Sequence, residues 1–348
     1  MRYSRVQIDA IGYELPPVVV TSLELEARLK PVYDALHLHE GQLESLTGIV
    51  ERRWWEPGYL LSAGAVAAAR HALAHAGIAA ADLDVLIYAG VCRELFEPAT
   101  ACRVAAALDV GPDTAVYDMS NACLGVLNGM VDVANRIELG QVRAGLVVSC
   151  ESAREINDVT IKRMLEAPTM DSYKFSLATL TGGSGAIAVL LTDGSFSGEK
   201  RRRLLGGVSK TAPQFHELCR WGMQRLGSLP VFTQFASTDS AAVLKNGVEL
   251  GARTWAAFLR ELQWGADRVD KVICHQVGSG HRDTILATLG IDEAKEFFTY
   301  PYLGNIGTVS LPITAALADD REFLRPGDRV AFLGIGSGLN CLMLGLEW

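Results

Sequence analysis

The feature that most constrains the fold is an internal repeat, in which a strand, a turn of small residues and a helix occur once in each half of the chain. In the first copy, the apolar stretch 114–119 leads into a turn that contains Cys123, and apolar residues then recur at helical spacing. The second copy spans 299–310 and places Asn305 at the position of Cys123. Because the repeat is half the chain in length, it excludes a short-period solenoid. It predicts an α/β protein with two αβ units stacked back to back, their sheets enclosing helices.

The remaining segments fit these two units. The stretch 193–203, with glycine, serine and a basic run, predicts a junction, so the domains are expected at 1–195 and 196–348. The segment Thr21 to Glu24 has the spacing of a capping box, and Pro31 predicts a kink in the following helix. The charged segment 154–176 is expected to be irregular and to cover part of the protein. We predict strands at 6–11 (closed by Gly12), 84–90, 144–150, 270–277, 329–335 and 339–346, and helices at 62–77, 101–108 and 248–262.

Charge and cysteine usage exclude several classes of function. With 32 basic and 40 acidic residues the net charge is −8, which argues against a broad nucleic-acid-binding face. An anionic ligand must then be bound by a local basic cluster. The seven cysteines are scattered and form no C-x-x-C pair, so neither a disulfide scaffold nor a metal site is expected. The N-terminal residues lack the apolar core of a signal peptide and no stretch is long enough to span a bilayer, which predicts a cytoplasmic protein.

Cys123 is the candidate nucleophile. It lies where a strand passes into a helix, and the unpaired backbone N–H groups and the helix dipole at such a point favour a thiolate. A thiolate in this position can attack an electrophilic carbon. The alternative is that Cys123 is one of several small buried hydrophobic residues.

Three further polar residues lie in apolar surroundings. His275 and Asn305 follow predicted strands, and ligands of α/β sheets gather at the carboxyl ends of strands. Taken alone, His275 could equally be a hydrogen-bonded core histidine. Glu97 stands between Phe96 and Pro98 at the start of a helix, where a glutamate often only complements the helix dipole. Together, Cys123, His275 and Asn305 occupy matching positions of the repeat, which favours a shared site.

Over nearly its whole length the chain resembles thiolase-superfamily condensing enzymes of the ketoacyl synthase III type, and more narrowly the OleA long-chain acyl-CoA condensing enzymes of bacterial olefin biosynthesis. The motifs that carry the resemblance are T-G-I at 47–49, F-E-P at 96–98, N-A-C-L at 121–124, H-Q-V at 275–277, G-N-I-G at 304–307 and L-G-I-G-S-G-L-N-C at 333–341. The cysteine, histidine and asparagine mark the superfamily, whereas Glu97 and the C-terminal run favour the OleA type. The resemblance implies a thiolase fold, with the duplicated αβ halves in a five-layered αβαβα sandwich.

The resemblance also implies roles for individual residues. Cys123 would be acylated by a first acyl-CoA, and His275 and Asn305 would hydrogen-bond the thioester carbonyl or enolate of the second. The oxyanion hole would combine the backbone N–H of Cys123 with a donor near Ser337. Glu97 would lie on a loop that reaches the active site of the partner subunit in a homodimer. CoA thioesters would be substrates without any added cofactor, and downstream enzymes of the olefin pathway would be further partners.

Glu97 decides which reaction is expected. A synthase that decarboxylates a malonyl donor needs no base, and the ketoacyl synthases resembled here carry an aromatic residue at this position. Joining two acyl-CoAs instead requires removal of a proton from carbon, for which a carboxylate in an apolar site is suited. The expected reaction is a non-decarboxylative Claisen condensation that gives a 2-alkyl-3-oxo acid. The alternatives are a decarboxylating 3-oxoacyl-[acyl-carrier-protein] synthase III, a thioesterase or acyltransferase, and an inactive partner subunit.

The sequence identifies the residues that would contact CoA and the acyl chains less narrowly than it identifies the other site residues. The segment 47–55 is either a surface loop whose tryptophan side chains are buried or a segment that binds an anionic ligand with a ring. CoA is expected near Arg52 and Arg53 or near the run Lys200 to Arg203. The residues that line acyl channels, or alternatively only fill the core, are Leu165, Met170, Phe175, Leu218, Trp221, Met223, Leu226 and Leu229.

Overall fold

The computed structural model describes residues 1–196, 202–225 and 231–348. The strands are β1 (Gln7–Glu14), β2 (Val18–Thr21), β3 (Glu51–Trp54), β4 (Val85–Ala89), β5 (Ala115–Met119), β6 (Ala144–Glu151), β7 (Gly185–Thr192), β8 (Arg202–Thr211), β9 (Cys219–Arg225), β10 (Phe232–Thr238), β11 (Lys271–Cys274), β12 (Arg329–Gly336) and β13 (Asn340–Glu347). The helices are α1 (Ser22–Arg28), α2 (Lys30–Leu36), α3 (Gln42–Thr47), α4 (Leu61–Ala76), α5 (Thr100–Leu108), α6 (Gly125–Glu138), α7 (Arg154–Glu166), α8 (Met170–Leu180), α9 (Ser240–Leu262), α10 (Ser279–Leu289), α11 (Tyr300–Leu303) and α12 (Ser310–Asp320). None of these helices has the length and apolar composition needed to cross a membrane.

One large sheet organises the described residues, with the strand order β11-β12-β13-β8-β1-β7-β6-β4-β5. The strands from β1 to β5 in this order come from the first half of the chain, and those from β11 to β8 come from the second half. The halves join where β1 pairs antiparallel with β8 through Gln7 and Ile8. Two small antiparallel ribbons, β2 with β3 and β9 with β10, lie outside this sheet.

Strands β4, β6 and β7 of the first half are buried at every position, which explains their continuous apolar sequences. Side chains alternate between the two faces of a strand. Accordingly, Val85 and Ile87 of β4 join a central core, whereas Leu86 and Tyr88 join a second core on the other face. The central core contains α6 and α12, and the second contains α4 and α5. A third core packs α9 and α10 against the strands of the second half. Helices from both halves therefore meet in the middle of the molecule.

Local signals in the sequence are confirmed at the helix ends. The side chain of Thr21 accepts a hydrogen bond from Glu24 N, and the Glu24 carboxylate accepts one from Thr21 N, as a capping box requires. The helix predicted to kink near Pro31 is divided at Leu29 into α1 and α2. Gly77 ends α4 in the left-handed region, at a φ of 69°.

Three predicted segments are wrong. The region 154–176 is helical rather than irregular, because α7 and α8 bury Ile156, Ile161 and Tyr173. Helix α9 begins at Ser240 instead of 248, since the Asp239 side chain caps Ala242 N and Gly247 lies inside the helix. In the second copy of the repeat, the strand expected before Asn305 is the short helix α11.

Gly12 does not end β1, contrary to the sequence prediction. The strand continues to Glu14, with Gly12 opposite Ala188 of β7. A Cβ atom at Gly12 would lie 2.2 Å from Ala68 O and 2.6 Å from Ala72 N of α4. The absence of a side chain therefore lets the α4 backbone lie directly on the sheet.

We predict that Gly12→Ala destabilises the protein by about 1–3 kcal/mol, because the added methyl group forces α4 away from β1. Urea denaturation of the purified protein measures the change in the free energy of unfolding. Gly280→Ala is the matched control, since a Cβ there meets nothing within 4 Å and alanine is the better helix former by up to about 1 kcal/mol. Equal stability of Gly12→Ala and the wild type would contradict this packing.

Candidate active site

The turn that carries Cys123 is tightly built. Strand β5 ends at Met119, Ala122 adopts a φ of 46°, and Leu124 N donates to Asn121 O at 2.9 Å. Leu124 is buried in the central core, so the turn cannot rotate without unpacking that core. Cys123 is thereby held with its side chain at the wall of a cavity.

The cavity has a volume of about 450 Å³ and is bounded by both halves of the chain. It brings together Cys123, Asn305 and Ser337, three residues that the sequence singles out. Within the described ranges, no group of His, Cys, Asp and Glu side chains could hold a metal ion. The other lining residues include Glu151, Ala153, Ile156, Ala178, Thr179, Cys219, Arg220, Trp221, Thr238 and Ile306.

Hydrogen bonds at both the backbone N–H and the backbone carbonyl hold Asn305 in place. Its N–H donates to Thr181 O at 2.9 Å and its carbonyl accepts from Gly183 N at 3.0 Å. The side-chain Oδ1 accepts from Gly307 N at 3.1 Å. With this oxygen occupied, the amide NH2 group of Asn305 is the part available to donate to a ligand in the cavity.

Ser337 lies in the turn between β12 and β13, beside the Cys123 turn. A Cβ atom at Gly336 would lie 3.4 Å from Cys123 N, so the two turns approach closely. The Asn340 side chain links them, because its Nδ2 donates to Asn121 Oδ1 at 3.1 Å and reaches Ser337 O at 3.4 Å. The oxyanion role given to Ser337 by the sequence stays a prediction.

His275 follows β11 and is 6% exposed. Its backbone N–H donates to Leu333 O at 3.0 Å, and its Nδ1 has no hydrogen-bond partner among the described residues. Burial, together with the neighbouring His281, lowers the pKa of His275 to about 3. At neutral pH the imidazole is therefore uncharged and can donate a hydrogen bond through one ring nitrogen.

Cys123 is not activated in the way that the sequence predicts. Burial raises the pKa of its thiol to about 12, with Cys219 and the Glu151 carboxylate adding to the rise, and hydrogen bonding to its own backbone opposes it. Desolvation disfavours the charged form and is the largest cause of this rise. At neutral pH the resting Cys123 side chain is therefore a protonated thiol.

Glu97 lies apart from this cavity in its own chain. Among the described residues that line the cavity, neither Glu97 nor His275 is present. Glu97 is exposed, and the adjacent Phe96 is 100% exposed. The structure thus leaves Glu97 on a surface loop, and its role stays a prediction.

The expected CoA contact at Arg52 is wrong, because Arg52 is 0% exposed. Its guanidinium donates to Val20 O and Ser22 Oγ instead. Trp54 and Trp55 are also buried, which confirms the prediction that their side chains point away from solvent. In the other basic run, Arg202 is paired with Asp319, and Lys200 and Arg201 lie outside the described residues.

One of the eight expected channel residues, Trp221, lines the cavity. The idea that these residues fill the core is wrong for Leu165, Met170, Phe175 and Met223, which are all exposed. Leu218 is half-buried, and Leu226 and Leu229 lie outside the described residues.

Glu151 is the lining residue that sequence reasoning missed. It is the last residue of β6 and is 4% exposed, with a pKa raised by burial and opposed by hydrogen bonds from Cys92 and the backbone. The available signal was a glutamate directly after an apolar strand, a position where ligand-contacting residues of α/β proteins gather.

The chain is similar to known proteins, in its C-terminal part to a family model and over its whole length to individual enzymes. Residues 259–348 match the family model of the 3-oxoacyl-[acyl-carrier-protein (ACP)] synthase III C terminal. The whole chain is 59% identical to the acyl-CoA:acyl-CoA alkyltransferase of Shewanella oneidensis over 350 residues, covering 100% of both proteins. It is 28% identical to a beta-ketoacyl-[acyl-carrier-protein] synthase III of Rhodospirillum rubrum over 340 residues, covering 97% of each.

A solved structure of similar shape is that of a cysteine-to-serine variant of Xanthomonas campestris OleA with bound lauric acid and lauroyl-CoA. The TM-score is 0.92 at 33% sequence identity, and the match covers 99% of this chain and 100% of that one. Further structures of the Xanthomonas protein carry substitutions of a cysteine, a glutamate or a histidine.

We predict that alkylation of Cys123 by iodoacetamide accelerates about tenfold per pH unit between pH 7 and 9. A thiol with a pKa of about 12 is about 10⁻⁵ ionised at pH 7, and the reactive thiolate fraction then rises in proportion to hydroxide. Mass spectrometry of the Cys123 peptide measures the rate, with the exposed Cys102 in the same sample as the internal comparison. A plateau below pH 8 would show a thiolate at rest.

Proposed function

The chain belongs to the acyl-CoA:acyl-CoA alkyltransferase family, and from this premise we propose that it joins two acyl-CoA molecules through a thioester on Cys123. The reaction is a non-decarboxylative Claisen condensation that yields a 2-alkyl-3-oxoalkanoate and CoA. The observation that carries the proposal is the cavity in which Cys123, Asn305 and Ser337 meet, in a chain 59% identical over its full length to an enzyme of this activity.

The first step transfers an acyl group to Cys123. The sulfur attacks the thioester carbonyl, the bond between that carbon and the CoA sulfur breaks, and the thiol proton leaves on CoA. The backbone N–H of Cys123 and a donor near Ser337 stabilise the oxyanion, and each such donor contributes about 3–4 kcal/mol in well-studied cases. The closeness of the Gly336 backbone to Cys123 N supports this pairing.

The second step forms the carbon–carbon bond. Glu97 removes a proton from the carbon next to the carbonyl of the second acyl-CoA, and neutral His275 and the Asn305 amide hydrogen-bond the enolate oxygen. The enolate carbon attacks the acyl carbonyl carbon on Cys123, the bond between that carbon and the sulfur breaks, and the released thiolate takes up the proton that Glu97 removed. Hydrolysis of the remaining thioester then releases CoA and the 3-oxo acid.

We further propose a homodimer in which Glu97 completes the site of the partner subunit. In support, Leu95 and Phe96 are 48% and 100% exposed beside Glu97, and β5 forms an open edge of the large sheet. Exposed apolar side chains beside an unpaired strand edge are typical of an interface. The glutamate and cysteine substituted in the Xanthomonas protein lie as many residues apart as Glu97 and Cys123.

The proposal also includes the layers of the fold, the division of the chain into halves and the contacts with substrate. The three cores, with helices between and outside the strands of the two halves, support a five-layered αβαβα thiolase fold. We place the division between its halves at 195 and 196 and the protein in the cytoplasm. CoA phosphates would meet Arg220, a basic residue at the cavity, and the acyl chains would pass Trp221 and Ile156.

The competing activity is a decarboxylating 3-oxoacyl-[acyl-carrier-protein] synthase III, the enzyme after which the family model matched at 259–348 is named. The purified protein is expected to consume two long acyl-CoAs without a malonyl donor and to form one 2-alkyl-3-oxo acid, identified by mass spectrometry. Cys123→Ser is the matched inactive control. Carbon dioxide release from malonyl carrier protein, with no reaction between acyl-CoAs, would establish the competing activity, and free fatty acid alone would establish a thioesterase.

Glu97→Gln is expected to lose condensation by about 10²-fold or more while Cys123 still becomes acylated, because only the second step needs the base. Co-expression of Glu97→Gln and Cys123→Ser chains with different tags gives a mixed dimer. One of its two sites then combines an intact Cys123 with the partner's intact base, and about half of the wild-type condensation rate should return. An inactive mixed dimer would place Glu97 in the site of its own chain.

A further inference from the structure

Glu151 contributes a buried carboxylate to the cavity that the proposed reaction does not use. Its Oε1 accepts a hydrogen bond from Val91 N at 2.9 Å, and its Oε2 accepts one from Cys92 N at 3.1 Å. Space for the side chain is provided by glycines: a Cβ at Gly90 would lie 3.3 Å from Oε1, and one at Gly307 would lie 3.5 Å from Cγ. The carboxylate thus occupies a fitted position with both oxygens engaged.

The two N–H groups that bind Glu151 begin the segment 91–99, which we call the Glu97 loop. Carboxylate contacts occur at the start of this loop, at Glu94 and just beyond the end of the loop. Glu94 accepts from Ser62 N at 2.7 Å and pairs with Arg103, and Asp118 accepts from the backbone N–H groups of Thr100 and Ala101 just beyond the loop. Glu151 differs from Glu94 and Asp118 because it alone among these three carboxylates also lines the cavity that holds Cys123.

We propose that Glu151 is a positioning residue for the condensation, which fixes the start of the Glu97 loop from inside the cavity of its own chain. This inference rests on the proposed function. In the proposed dimer the loop serves the partner's site, so Glu151 connects the acylation cavity of one subunit to the base that acts in the other. Misplacement of a reacting group by about 1 Å can cost about 10²-fold in rate, which makes such an anchor important.

The titratable and charged groups at the cavity wall are Cys123 from the turn after β5, Glu151 from β6, and Cys219 and Arg220 from β9. Glu151 and Cys219 both contribute to the raised pKa of the Cys123 thiol. Removing the Glu151 charge should therefore lower the thiol pKa, whereas a loss of loop anchoring should lower the condensation rate. These two effects can be measured separately.

The test substitutes Glu151→Gln, which keeps the size of the side chain and one acceptor oxygen but turns an NH2 group toward the second backbone N–H. We expect condensation to fall at least tenfold while the amount of acylated Cys123 stays close to wild type, and the melting temperature to fall by only a few degrees, because one buried hydrogen bond is lost. Alkylation of Cys123 should shift to lower pH, with Cys102 unchanged. Glu155→Gln is the control, because Glu155 is an exposed carboxylate on the adjacent helix that accepts from Ser152 Oγ.

The mixed dimer of Glu97→Gln and Cys123→Ser chains then assigns the effect to one subunit. Glu151→Gln placed in the Cys123→Ser chain, which supplies only the base, should reduce condensation at least tenfold. The inference would be overturned if this dimer condensed as fast as the mixed dimer without the Glu151 change, or if the Glu151→Gln homodimer condensed as fast as the wild type. An inactive mixed dimer without any change at Glu151 would instead overturn the shared site, and the Glu151→Gln homodimer would still decide whether the anchor matters.

Discussion

The structure depends on the contact between the turn that carries Cys123 and the end of β12. A Cβ at Gly334 would lie 2.7 Å from Leu124 Cδ2, and one at Gly336 would lie 3.3 Å from Leu124 Cγ. Glycine at these positions allows Leu124 to sit on the strand of the opposite half of the chain. Because the contact joins the two halves, it sets the position of Cys123 relative to Asn305 and Ser337.

The burial that builds this contact also controls the chemistry of the site. Removing Cys123 and His275 from water favours the uncharged forms of both, so Cys123 at the cavity is a thiol and His275, which does not line the cavity, is a neutral imidazole. Apart from Glu151, whose oxygens accept backbone N–H groups, and Arg220, the described groups at the cavity wall are uncharged, so a long apolar chain can enter without burying a further unpaired charge. Charge then develops only when a thioester carbonyl is attacked or a carbon is deprotonated, where fixed N–H donors can stabilise it.

Much of the fold could be predicted because its signals are local. The capping box at Thr21, the apolar strands buried on both faces and the strand–turn–helix around Cys123 each depend on neighbours in sequence. The helices of 154–180 could not be predicted in this way, since α7 buries the polar residues Asn157 and Thr160 together with its apolar ones and so conceals the helical period. Glu151 was missed because its role depends on Val91 and Cys92, about sixty residues earlier in the chain.

The same hydrogen bonds explain why the cavity needs a carboxylate from elsewhere. Glu151 is the carboxylate that lines the described cavity, but both of its oxygens accept backbone N–H groups. Taking up a proton from substrate would break at least one of these bonds in a buried place, where a lost bond to a charged group costs about 1.5–3 kcal/mol. A base that removes a proton from carbon must have an oxygen without such a hydrogen bond when the substrate binds. Glu97 on its exposed loop would meet this requirement, and in the proposed dimer the second subunit would bury this carboxylate beside the thioester.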